Sequence, residues 1–139
     1  VHSAENRRSL GKTQRHGDYA GRFPAVTTLF INRVRSLPEA RDVAAAAAAE
    51  SKVAEALRIA DAWIARHDWF AGHDFSFGDI AMGALLWRYM GIDCARPQMP
   101  HLMEWFEAIQ EREPFRRAVM AVPRAKDLAD WNRIEKETA

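Results

Sequence analysis

Four residues with ligating or nucleophilic side chains stand in two pairs along this chain: His67 and His73, six apart, and Cys94 and His101, seven apart. Two metal ligands share a helical face at a spacing of four, so neither pair reads as a metal site. Cys94 has His101 nearby in sequence, but no nucleophile signature surrounds either residue, and a lone cysteine reads as a small buried hydrophobe. None of the seven glycines belongs to a G-x-G-x-x-G or G-x-x-x-x-G-K-[ST] pattern, which leaves no phosphate cradle. Glu104 and Glu107, and Glu111 and Glu113, are carboxylate pairs. They alternate with Arg112, Arg116 and Arg117, as on a solvated, ion-paired helix surface rather than around a general acid and base. On these grounds no residue is assigned a catalytic or metal-binding role.

The composition narrows the classes further. A chain of 139 residues has room for one domain, and 48% hydrophobic residues, with five Trp and seven Phe, suffice for a proper core. Twenty Lys and Arg against nineteen Asp and Glu leave a net charge of +1, too balanced to mark nucleic acid or an anionic membrane as the main partner. One cysteine excludes an internal disulfide framework and suits a reducing compartment. No apolar run approaches the ~18 residues of a membrane span, and the opening VHSAENRRSLGK has no apolar signal region. The expectation is a cytoplasmic, soluble protein. Residues 1–17 carry Arg7, Arg8, Lys12 and Arg15 against Glu5 and read as a basic tail or linker; no aromatic interleaves the charges as single-strand binding requires. A second basic group, Arg112 to Arg124, is interrupted by Pro114 and Pro123 where a recognition helix must be continuous.

Residues 18–139 read as one helical domain, with loops over Asp68 to Asp74 and Asp93 to Pro100. Tyr19, Phe23, Val26, Phe30 and Val34 recur at spacings of four, three, four and four, one face of a helix reaching about Arg35. The turn Ser36-Leu37-Pro38-Glu39 leads to Asp42 and the alanine run 44–49, where propensity favours helix; Val53, Leu57, Ala60 and Ile64 continue its buried stripe. In Phe75-Ser76-Phe77-Gly78-Asp79-Ile80, Ser76 is placed as an N-cap, Asp79 as the residue that reaches back to it, and Phe75 and Ile80 at the two positions of a hydrophobic staple. That helix is expected to bury Ile80, Ala84 and Trp87, with Gly83 admitting a close neighbour, and to stop at Gly91. Leu102, Trp105, Phe106 and Ile109 mark a fourth helix, Pro114 opens a short fifth, and Leu128, Trp131 and Ile134 mark a sixth. Trp63, Trp87 and Trp105 fall on apolar stripes and read as core. With no alternating β-branched run and no hairpin signal, the chain is expected to be all-α, a bundle of about six helices.

The order Trp69-Phe70-Ala71-Gly72-His73-Asp74-Phe75-Ser76-Phe77-Gly78-Asp79-Ile80-Ala81 resembles the capping segment of the central helix in the C-terminal domain of cytosolic glutathione transferases. The likeness extends to Pro97 through Leu102, to Trp105-Phe106, to Glu111 through Arg116, and upstream to Arg35 through Asp42, covering about Tyr19 to Val122. Gly78 stands where the family usually has alanine. The resemblance implies an electrophile-pocket and dimerisation domain of a subunit that conjugates glutathione to hydrophobic electrophiles. It also implies that the catalytic residue and the glutathione site belong to a thioredoxin-like N-terminal domain. Ser76 and Asp79 then serve folding, and Tyr19, Phe23, Thr27, Trp87 and Trp131 are the candidates to line the pocket. No cofactor is expected in this chain; glutathione enters only as co-substrate of a complete subunit. The expected partners are a second copy of the chain or a thioredoxin-like domain. The alternative reading is a non-catalytic protein–protein interaction module, which exposed apolar faces on the first two helices would favour.

Overall fold

The computed structural model describes residues 23–139; the basic tail 1–17 and Tyr19 lie outside the described residues. The elements are α1 (Phe23–Phe30, continued by a π turn, Ile31–Arg35), α2 (Val43–Ile64), α3 (Phe77–Met90), α4 (Pro100–Gln110), α5 (Glu113–Phe115, continued by a π turn, Arg116–Met120) and α6 (Leu128–Thr138). Among the described residues there is no strand, and the one extended pairing is the isolated bridge between Trp69 and Gly72. The bundle is all-α.

The corner between α1 and α2 is built from side chains of the turn. Asn32 is buried; its amide donates to the Thr28 carbonyl at 3.0 Å and its oxygen accepts the Asp42 N–H at 2.8 Å, so it leaves no orphan group inside. Asp42 then caps α2 by accepting from the Ala45 N–H at 2.9 Å. Across its 22 residues α2 buries Ala46, Ala49, Val53, Leu57 and Ala60, the stripe expected of the helical period. It packs on α1 along one flank and on α4 along another. From its far end, Asp61 accepts the Leu102 N–H at 2.8 Å, capping α4 across 41 residues of sequence where the local N-cap residue, Met99, offers no side-chain bond.

Helix α3 corrects one expectation. It buries Asp79, Gly83, Leu86 and Tyr89, a stripe displaced by one position from Ile80, Ala84 and Trp87, and Ile80 is 44% exposed. The segment is apolar almost all round, so its period selects no face; the tightest neighbours decide instead. A Cβ on Gly83 would lie 2.8 Å from Ile109 Cδ1 and 2.9 Å from Phe115 Cε2, so the inward face is the one that glycine opens to α4 and α5. Phe75, the other half of the expected staple, meets the Trp69 ring edge-on at 5.2 Å and carries the Arg112 guanidinium at 3.8 Å. Trp63 also departs from the expected core position, at 40% exposed and stacked on His67. The acidic and basic residues of the α4–α5 surface form exposed pairs, Arg116–Glu111 at 3.8 Å and Arg117–Glu113 at 3.6 Å, as a solvated face should.

Candidate functional site

The two ends of α3 hold polar groups in opposite states. At its start Ser76 is extended (φ −140, ψ 174), the backbone of an N-cap, and its hydroxyl accepts the Gly78 N–H at 3.2 Å. Asp79 is fully buried. One carboxylate oxygen accepts the Phe70 N–H and the Trp105 indole N–H, each at 3.0 Å; the other accepts the Ser76 N–H at 2.9 Å and the Ser76 hydroxyl at 3.1 Å. Four donors from the loop, the cap and α4 thus close on one carboxylate, which solves the desolvation problem of a buried anion and leaves it no spare geometry for chemistry.

At the other end of α3 lies a cleft of about 460 Å³ between α3, the segment after α5 and the final helix. Phe30 from α1, Trp87 from α3, Val119 and Val122 from the connecting segment, and Trp131 and Ile134 from α6 give it apolar walls. Trp131 meets Phe30 edge-on at 5.5 Å, and the Arg35 guanidinium lies 4.8 Å from its ring centre. Arg124 lies 3.9 Å over the Trp87 ring and donates to the Trp87 carbonyl at 3.1 Å. Gly91 permits this, because a Cβ there would come within 3.0 Å of the Arg124 stem. The Trp87 indole N–H is buried and has no hydrogen-bond partner among the described residues.

A second, smaller cleft of about 290 Å³ separates α2 from α3, with Val53, Leu57, Trp63, Met82, Leu85 and Tyr89 among its lining. Tyr89 is 1% exposed, and its hydroxyl, with the Cys94 thiol close by, makes no geometric hydrogen bond among the described residues. Burial, and then the neighbouring Cys94, push the Tyr89 hydroxyl well above the usual tyrosine range; burial also raises the Cys94 thiol. Cys94 is therefore a protonated, half-buried thiol and not an activated nucleophile. Among the described residues no group of three His, Cys, Asp or Glu is placed to hold a metal ion, and no helix is long and apolar enough to cross a membrane.

Comparison with known proteins supplies the family. The model of the glutathione S-transferase C-terminal domain matches residues 20–113. The chain belongs to that family. Two crystal structures of the theta class glutathione S-transferase from the citrus canker pathogen Xanthomonas axonopodis pv. citri are similar to it at 30% identity over 85% of this chain. The apo form gives a TM-score of 0.71 and the form with glutathione bound 0.70. The chain spans 62% and 57% of those two chains. No curated protein matches it.

Against this glutathione S-transferase C-terminal fold, the residues expected to line a pocket divide. Trp87 and Trp131 come together on the larger cleft. Thr27 is exposed on α1 and lines neither cleft; Phe23 is placed in the first turn of α1 by its backbone alone, and Tyr19 lies outside the described residues. Phe30 and Arg124 were not singled out from the sequence. Phe30 stood in the helical register of a core stripe, and Arg124 in a basic run; only the approach of α6 and of the 121–125 segment to α3 brings them to one cleft.

Proposed function

We propose that this chain is the electrophile-binding half of a glutathione transferase subunit, with the cleft between Trp87 and Trp131 receiving the hydrophobic co-substrate. The observation that carries the reading is that one wall each from α1, α3 and α6 meets there: Phe30, Trp87 and Trp131 enclose an apolar space large enough for an aromatic molecule. The family match and the theta class neighbours support it. The thiolate of glutathione would be bound and activated by a thioredoxin-like partner domain, the division of labour that membership of the C-terminal domain family implies. Phe77, 80% exposed, and Ile80 beside it on the outer face of α3 are apolar surface that such a domain, or a second copy of the chain, would cover. Detoxification of hydrophobic electrophiles in the cytoplasm by a dimeric enzyme is the role this reading implies.

Calorimetric titration of the chain with glutathione and, separately, with a chlorodinitrobenzene electrophile tests the division of labour. Heat with the electrophile and none with glutathione is the expected pair of results. Tight glutathione binding would overturn the assignment.

A further inference from the structure

The walls of the larger cleft are anchored unequally. Trp87 belongs to α3, in the middle of the bundle, whereas Trp131 belongs to α6, none of whose residues is buried. The 121–125 segment that leads into α6 is tied to the body by Ala125, which is buried, and by Arg124. The Arg124 stem crosses Gly91 so closely that a Cβ there would lie 3.0 Å from its Cδ and 3.2 Å from its Cβ. Past that glycine the guanidinium lies 3.9 Å over the Trp87 ring and donates to the carbonyl of the same residue at 3.1 Å. One side chain therefore holds both the ring and the backbone of Trp87, and ties the approach to α6 against α3. Trp131 is held in the same manner, edge-on to Phe30 at 5.5 Å and with the Arg35 guanidinium 4.8 Å from its ring centre.

Resting on the reading of this cleft as the electrophile site, we infer that Arg124 is a positioning residue that sets its specificity, selecting rigid planar aromatic electrophiles over flexible alkyl ones. It acts through Trp87 and through the spacing of α6 from α3, and its own contact with the ligand is not required. With both indoles fixed in advance, a flat rigid molecule enters a slot that has already lost its freedom, and the molecule has little of its own to lose. A flexible chain surrenders its rotamers in any cleft and can follow walls that have moved, so fixed walls help it less. Preformed aromatic walls thus favour the rigid ligand by an amount that depends on what fixes them.

Two neutral, unreactive probes separate the terms: dinitrobenzene, which is planar and rigid, and octanol, which is flexible. Their affinities are measured on the nitrogen-15 labelled chain, where the indole N–H signals also report where each probe sits. Arg124→Met keeps an apolar stem beside Gly91 and removes the guanidinium; it should weaken dinitrobenzene by at least about fivefold and octanol by less than about twofold. Arg124→Lys restores a cation that can reach the Trp87 carbonyl and ring, and should bring dinitrobenzene back to within about twofold of the parent. Because Arg124 is exposed, both variants are expected to fold, with thermal midpoints close to that of the parent. Equal losses for the two probes would make Arg124 a general support and refute its role in specificity. Affinities unchanged in Arg124→Met, with Trp87 and Trp131 still reporting the probes, would refute the positioning role and leave the cleft reading standing. Probes that move the Trp63 signal and leave Trp87 and Trp131 fixed in the parent would overturn the cleft reading itself.

Discussion

Asp79 and Tyr89 sit ten residues apart on the same face of α3, both buried to within 1% of full exclusion, and they answer burial in opposite ways. The carboxylate of Asp79 has four donors; the hydroxyl of Tyr89 and the nearby indole N–H of Trp87 have none. A fully satisfied buried polar group works as a structural joint whose loss strands its partners, whereas an unsatisfied one costs stability and can be removed at little loss. The contrast separates the folding end of the helix from the end with open clefts.

Removing the joint should have the largest effect. Asp79→Ala strands the Phe70 N–H, the Ser76 N–H and the Trp105 indole together, and a loss of about 3–5 kcal/mol in urea unfolding is expected. A loss under about 1 kcal/mol would mean the four bonds do not act as a unit. Ser76→Ala keeps the carboxylate and removes only the hydroxyl that serves Gly78 and Asp79, so about 1 kcal/mol should go, with the denaturant slope unchanged.

At the other end, Tyr89→Phe deletes a hydroxyl that bonds to nothing, and stability at neutral pH should change by less than about 0.5 kcal/mol or rise. Its effect belongs at alkaline pH. Burial raises the folded-state values of Tyr89 and Cys94, so above the unfolded values of 10.0 and 9.0 the unfolded chain releases protons that the native chain still holds. The native state then binds more protons, and stability falls as pH rises through that range. Thermal melts from pH 8 to 11 should show this decline in the parent, and a shallower one in Tyr89→Phe combined with Cys94→Ala. An identical decline would assign it to other groups. The smallest effect is Gly78→Ala, which restores the family's usual residue. A Cβ there meets only ordinary contacts, Ser76 Oγ at 3.4 Å and Phe70 Cβ at 3.5 Å, so a gain of about 0.5 kcal/mol is expected. A loss would show that the capping turn needs the glycine.

The folding end was legible in the sequence because its logic is local. A cap, its reciprocal carboxylate and a glycine all lie within a few residues, and the fourfold helical repeat of α2 marks its own buried face. The further partners of Asp79, Phe70 and Trp105, were not, since they arrive from another loop and another helix. The same holds for Asp61, which caps α4 across 41 residues. Periodicity failed on α3 for a different reason: with Phe77, Ile80, Ala81, Met82, Leu85 and Leu86 all apolar, the pattern carries no phase, and the close approach at Gly83 set it. Of the cleft, Trp87 reads as core from its apolar stripe and Trp131 as a side chain without a settled place, and only the resemblance names both as pocket candidates. Their proximity, and the arginine stacked on each, depend on where α6 and the 121–125 segment come to rest.

The central claim is that Trp87 and Trp131 face one ligand site. Indole N–H resonances report each tryptophan separately, so a nitrogen-15 correlation spectrum of the labelled chain, titrated with a chlorodinitrobenzene electrophile, tests it directly. The signals of Trp87 and Trp131 should move together along one saturating curve while Trp69 and Trp105 stay fixed. Movement of Trp63 at the smaller cleft, with Trp87 and Trp131 unmoved, would contradict the account.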